Sequence, residues 1–207
     1  MTLSSKIILF SILLFISSEN FYMQGYSGII IDSDITFEEA TAGLTFPVEV
    51  KKKLTLINVL YFGFDEKIHK GQIVIHKQLS AEIKEIFDEL FAKRFPIEKV
   101  IPIVKYNWDD ESSMRDNNSS AFNYRFITGT EKLSNHSFGS AIDINPFQNP
   151  YIVGKKIMPE GSQYIKTIKG TILPESIVVK TFKKRGWKWG GDWETRKDYQ
   201  HFEKTLD

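Results

Sequence analysis

The sequence contains no cysteine. That excludes a disulfide framework, a thiolate zinc site, an iron–sulfur cluster and a thiol nucleophile, so any metal site must be assembled from His, Asp and Glu. An excess of one charge is missing as well: 27 Lys and Arg face 26 Asp and Glu, a formal net charge of +1. Such a chain lacks the positive field that attracts nucleic acid regardless of its sequence, and nucleic acid is not an expected partner. Seven Pro and 13 Gly in 207 residues are too few for a collagenous or low-complexity chain. The 42% of hydrophobic residues suffices for the core of one compact domain, and a monomer is expected. Absent too are a His-Glu-x-x-His helix, a glycine-rich phosphate loop and a Gly-x-Ser-x-Gly elbow, the short signatures of common metalloproteases, nucleotide enzymes and serine hydrolases.

The N-terminus has the layout of an export signal. Lys6 is the one charge before an apolar or small run, Ile7 to Ser18, that ends in Ser17-Ser18 and Glu19. The run is shorter than the roughly 20 residues of a comfortable membrane span, so residues 1–18 are read as a signal peptide, with an uncleaved N-terminal anchor as the alternative. Removal of residues 1–18 with Lys6 would leave 26 charges of each sign. The mature protein is expected to be exported, whether periplasmic, cell-wall-associated or secreted. Residues 19–53 show no sustained period and are read as a lead-in to a domain spanning 54–207.

Within that domain Leu54–Phe62 and Gln72–His76 predict two strands. Ile83, Ile86, Phe87, Leu90 and Phe91 then fall at i, i+3, i+4, i+7 and i+8, one face of a helix over 80–95 with Ser80 as its N-cap and Pro96 as its stop. Val100–Tyr106 predicts a strand and 107–120 a polar loop. A second helix is expected over 174–185 with Pro174 at N1, followed by a strand, a Gly190-Gly191 turn and a strand over 187–203. This irregular interleaving favours an α+β domain with helices flanking a small, mostly antiparallel sheet.

Of the four histidines, His69 and His76 sit among lysines near a predicted strand and are read as structural, outside any carboxylate constellation. His136, Asp143 and His201 are different, because two neutral imidazoles and a carboxylate are a recurring ligand set for a catalytic zinc with a position left for water. Gly139 and Ala141 leave room for the chain to turn back between His136 and Asp143. Asp198, three residues before His201, is placed to exchange a proton above such a metal, or else is a turn residue. Arg125 is a candidate clamp for a substrate carboxylate or an oxyanion, the alternative being an ordinary salt bridge. Trp187 and Trp189 are read as aromatic core ahead of a cleft wall.

The motif Ser134-x-His136-x-x-Gly139-x-Ala141-x-Asp143, followed by Trp189-Gly190-Gly191-Asp192-Trp193 and Asp198-x-x-His201-Phe202, resembles the zinc D-alanyl-D-alanine carboxypeptidases and peptidoglycan endopeptidases of the M15 (VanY-like) metallopeptidase family. The resemblance covers roughly residues 54–205. It implies an α+β domain of the Hedgehog/D,D-peptidase type, a zinc held by His136, Asp143 and His201, and cleavage of cell-wall stem peptides. It further implies Asp198 as catalytic acid/base, Arg125 as the substrate-anchoring arginine and Ser134 as a substrate or supporting contact. Many members carry Glu where this chain has Asp198. The resemblance leaves open a carboxypeptidase, an L-alanyl-D-glutamate endopeptidase, and a non-catalytic wall-binding module on the same fold.

Overall fold

A computed structural model of the protein describes residues 28–206, and the signal-peptide reading lies outside the described residues. Among the described residues no helix is long and apolar enough to cross a membrane. Strands β2 (Leu54–Phe62) and β3 (Ile68–His76) form a nine-residue antiparallel hairpin, and β1 (Ile30–Ile31) adds to β3 in parallel. The part of the lead-in that is described therefore joins the sheet. Its short helices α1 (Phe37–Ala40) and α2 (Val48–Lys53) lead back to it, and Phe37, Ala40, Phe46 and Val50 pack with Leu54, Val74 and Phe122 in a small second core.

The first helix predicted from periodicity is α3 (Ser80–Ala92), and its buried residues Ile83, Ile86, Phe87 and Leu90 are the apolar positions of that pattern. It starts one residue earlier than expected: a 3-10 turn at Lys77–Leu79 feeds into it, Leu79 is the N-cap, and Ser80 instead donates its hydroxyl to the Lys77 carbonyl. It ends before Phe95 because Arg94 adopts φ +52, turning the chain ahead of Pro96. Helix α5 (Ile177–Lys183) begins at Ser176, whose side chain accepts from the Val179 N–H. Pro174 thus precedes the helix and does not sit at N1. Glu89 of α3 ties the two helices together through Arg185 (2.7 Å), Lys184 (2.5 Å) and Thr181 (3.1 Å).

The expected strand at Val100–Tyr106 is mostly absent. β4 covers Lys99–Val100, and Pro102 then starts a 3-10 turn over Ile103–Tyr106, since proline offers no N–H to a ladder. The polar stretch after it contains a short helix, α4 (Asp110–Arg115), capped by the Asp109 side chain, and β5 (Asn118–Ser119), which pairs in parallel with β4. The remaining strands, β6 (Ala141–Asp143), β7 (Tyr151–Val153), β8 (Lys156–Met158), β9 (Lys188–Trp189), β10 (Lys197–Asp198) and β11 (His201–Glu203), are two or three residues long. They form two antiparallel ladders, β6-β11-β9 and β10-β7-β8. The fold is α+β, with its strands divided among four small sheets where one was expected.

The main core lies between β2, β3, α3, α5 and the β6-β11-β9 ladder. Phe202 of β11 stacks on Phe182 of α5 with ring centres 4.1 Å apart, and Trp187 meets Phe182 edge-on at 5.4 Å. Trp187 and Trp189 are both buried there, in the core role expected of them. This apolar floor fixes the inner face of β6 and β11 and leaves their ends to carry polar side chains.

Candidate metal centre

Asp143 and His201 are directly opposed partners in the β6–β11 ladder, so their side chains leave the sheet on the same face. His136 arrives from the 3-10 turn Asn135–Phe138, whose N-cap is Ser134; the Ser134 Oγ accepts from the His136 N–H at 3.3 Å. Gly139 ends that turn at φ +63, and a Cβ there would lie 2.7 Å from the His76 nitrogen and from Leu54. Both the handedness and the close approach require glycine.

These elements bring three donor atoms together. His136 Nε2 is 3.2 Å from His201 Nδ1 and 3.2 Å from Asp143 Oδ2, and His201 Nδ1 is 3.0 Å from Asp143 Oδ1. All three residues are buried. The Asp143 carboxylate turns a different oxygen to each imidazole, and one ligand atom from each residue lies within 4.8 Å of the other two, a grouping that can close on an ion whose bonds of 2.0–2.2 Å put its donors roughly 3.3 Å apart. The outer nitrogens are oriented as well. His136 Nδ1 donates to the Ala121 carbonyl at 2.6 Å and His201 Nε2 to Glu203 at 3.2 Å, which leaves the lone pairs of Nε2 and Nδ1 pointing inward.

The electrostatics follow from this crowding. Burial would raise the Asp143 carboxyl, but His136 and His201 outweigh it and hold the group well below the usual carboxylate range. Burial opposes charge on His201 too, yet its hydrogen bonds to Asp143 and Glu203 carry the ring up to about 10. An ion entering the site competes with that proton. Glu203 is drawn down to about 2, chiefly by its bond to His201; Asn135 also donates to it at 2.6 Å.

The triad opens into a cleft of about 440 Å³ that Asp198, Arg125 and Ser134 also line. Every site residue singled out from the sequence thus reaches one place. Asp198 stands on β10, paired with Tyr151 of β7, and Gly190 packs against it so closely that a Cβ would lie 2.5 Å from the Asp198 carbonyl oxygen. Asp198 Oδ1 is buried without a hydrogen-bond partner although the residue as a whole is half-buried. Burial pushes its carboxyl up to about 7; His201 and His136 oppose the rise and Asp143 adds to it. Arg125 forms an ion pair with Asp110 at 2.9 Å, the salt bridge weighed as its alternative role, while its buried Nε has no partner.

Residues 128–204 match the M15 peptidase family model described as D-alanyl-D-alanine carboxypeptidase. The match places that stretch with the M15 peptidases and covers 77 of the 207 residues. No solved structure matches the chain. The matched stretch carries Ser134, all three donor residues and Asp198, whereas Arg125 and Asp110 lie upstream of it.

Some of the cleft's residues were not read from the sequence. Glu203 lies two residues beyond His201 on one strand, and period 2 alone puts both on the same face. Trp193, whose ring is 5.4 Å from that of His201, and Arg196, stacked over Trp193 at 4.4 Å, also line the cleft. Asp110 was hidden in a polar stretch of unremarkable composition. One reading is corrected: His69 does lie among carboxylates, with Nδ1 2.9 Å from Asp32 and Nε2 3.0 Å from Asp65. Asp32 belongs to the lead-in, 37 residues away, so no local spacing signals the contact. The cluster ties the lead-in to the hairpin turn, and Tyr61 also donates to Asp32.

Proposed function

We propose that this chain is an M15-type, zinc-dependent D-alanyl-D-alanine carboxypeptidase that trims peptidoglycan stem peptides, on a fold of the Hedgehog/D,D-peptidase type. One observation carries the reading: the buried His136-Asp143-His201 group, Asp198 with its buried, unpartnered Oδ1, and Arg125 share one cleft. Two imidazoles and one carboxylate suit zinc and leave a fourth position open. Zinc held there would polarise an amide carbonyl and make a water acidic enough to attack it.

The chain's own groups handle the proton and the substrate. Asp198 accepts the proton of the attacking water at a carboxyl oxygen and returns it to the nitrogen of the departing amine; burial favours its holding that proton, and a bound cation would favour giving it up. Arg125, with Nε unpaired and its outer nitrogen steadied by Asp110, binds the terminal carboxylate of the peptide or the oxygen that gains charge during attack. Ser134 holds the turn that presents His136. Lys132, Lys156 and Arg196 add positive charge to the cleft wall, which suits a peptide bearing carboxylates. The same reading has the protein exported by residues 1–18 and acting as a monomer.

The test is incubation of the zinc-loaded protein with a pentapeptide stem ending in D-Ala-D-Ala, followed by mass spectrometry. Loss of one alanine is expected, and Asp198→Ala should abolish it while zinc stays bound. An internal cut would reassign the enzyme as an endopeptidase. Resistance of both the peptide and cross-linked wall, with zinc bound, would favour a wall-binding module.

A further inference from the structure

A second cavity, of about 800 Å³, is walled by Glu49, Lys52, Lys53, His76, Lys77 and Lys204, and Asn135 lines both it and the catalytic cleft. Its charges are unequally used. Lys52 is paired with Glu49 at 2.9 Å, and Lys204 with Glu82 at 2.9 Å and the Arg185 carbonyl at 2.6 Å. Lys53 and Lys77 have no carboxylate partner among the described residues. His76 is 8% exposed. Its Nδ1 accepts from the Gln78 N–H at 3.3 Å, so the neutral ring carries its proton on Nε2, and that N–H meets no protein acceptor among the described residues. Burial first, and the Lys53 charge second, keep this ring below the ordinary histidine value and therefore neutral. Lys53 and Lys77 are exposed, and with the ring N–H of a mostly buried histidine beside them the cavity wall offers donors and positive charge without a free carboxylate, an arrangement that attracts an anion. The volume exceeds what a single small ion needs and falls in the range of sites for larger molecules.

We propose that this cavity binds a multiply charged oxyanion, a phosphate- or carboxylate-bearing molecule, gripped by Lys53, Lys77 and the His76 Nε2–H next to the catalytic cleft. The inference stands independently of the peptidase reading. It places the anion site against Asn135, the residue before His136, which also lines the neighbouring cleft.

The test follows the ring signals of His76 by NMR in the full-length, zinc-loaded protein at constant ionic strength. Inorganic phosphate, a glycerol phosphate oligomer or succinate is added in turn, and the His136 and His201 signals report separately on any anion at the metal. A saturable shift of His76 is expected, with its titration moved to higher pH. Binding should weaken roughly ten-fold in a Lys53→Gln/Lys77→Gln protein, the effect of losing two solvent-screened charge contacts. Peptide hydrolysis should be unchanged in that variant, because neither lysine lines the cleft. Tighter binding of phosphate or its oligomer assigns phosphate chemistry, and tighter binding of succinate assigns carboxylates. Absence of saturation by all three, or equal affinity in the double variant, overturns the proposal.

Discussion

Replacing Asp198 by Asn removes a carboxyl group that burial lifts from 3.8 to about 7. The lift is about three units, each worth about 1.4 kcal/mol. Between those two values the folded protein keeps a proton that the unfolded chain releases, so metal-free wild type loses stability as the pH climbs through that window and loses no more once the folded carboxyl ionises near 7. The penalty is about 2 kcal/mol at pH 5 and about 4 kcal/mol at pH 8, whereas the neutral amide carries none. The advantage of Asp198→Asn over wild type should therefore widen by about 2–3 kcal/mol from pH 5 to pH 8, trimmed by whatever solvent reaches the exposed part of the side chain. Urea denaturation of both metal-free proteins at pH 5, 6, 7 and 8 measures this directly. Saturating zinc should narrow the gap, because a nearby cation favours the ionised carboxyl. Stability curves that run parallel across the range, or a wild type that gains on the variant as the pH rises, would refute the reasoning.

Glu203→Gln keeps the side-chain size but weakens the grip on His201, and zinc affinity measured by chelator competition should fall roughly 10- to 100-fold. Gly190→Ala places a Cβ 2.5 Å from the Asp198 carbonyl oxygen, so β10 must shift; kcat should fall by up to about 100-fold with zinc stoichiometry intact. Asp110→Asn removes the anion that steadies Arg125, and KM for the pentapeptide should rise several-fold, about 1 kcal/mol, with a smaller change in kcat. Phe182→Ala empties the contact with Phe202 and Trp187 and should cost about 3–5 kcal/mol in denaturant unfolding.

What could be read before the structure depended on whether the physics was local. The α3 face was legible because 3.6-residue periodicity records burial directly in the sequence. The candidate donor set was legible because two imidazoles and a carboxylate recur together and His136 and Asp143 lie seven positions apart, while the ladder pairing that brings His201 to Asp143 is seen only in the structure. The strand expected after Val100 failed because apolar composition does not distinguish a strand from a 3-10 turn once Pro102 intervenes. The Asp32–His69 contact and the seating of 28–53 against the hairpin were invisible, since both depend on packing between segments dozens of residues apart. Glu203 is within reach of period-2 reasoning, since it lies two residues beyond His201 on one strand.

Two of the three donor residues share one rung of a ladder whose next rung carries Phe202, seated on Phe182. The scaffold of the triad is therefore held by hydrocarbon packing, in contrast to small domains that exist only while their ion is present. On the proposed zinc reading, loss of the ion would leave the chain folded and able to resume work when the ion returns, without new synthesis. Circular dichroism that stays constant through chelation and readdition, while peptide hydrolysis vanishes and recovers, is the expected record of such a reserve.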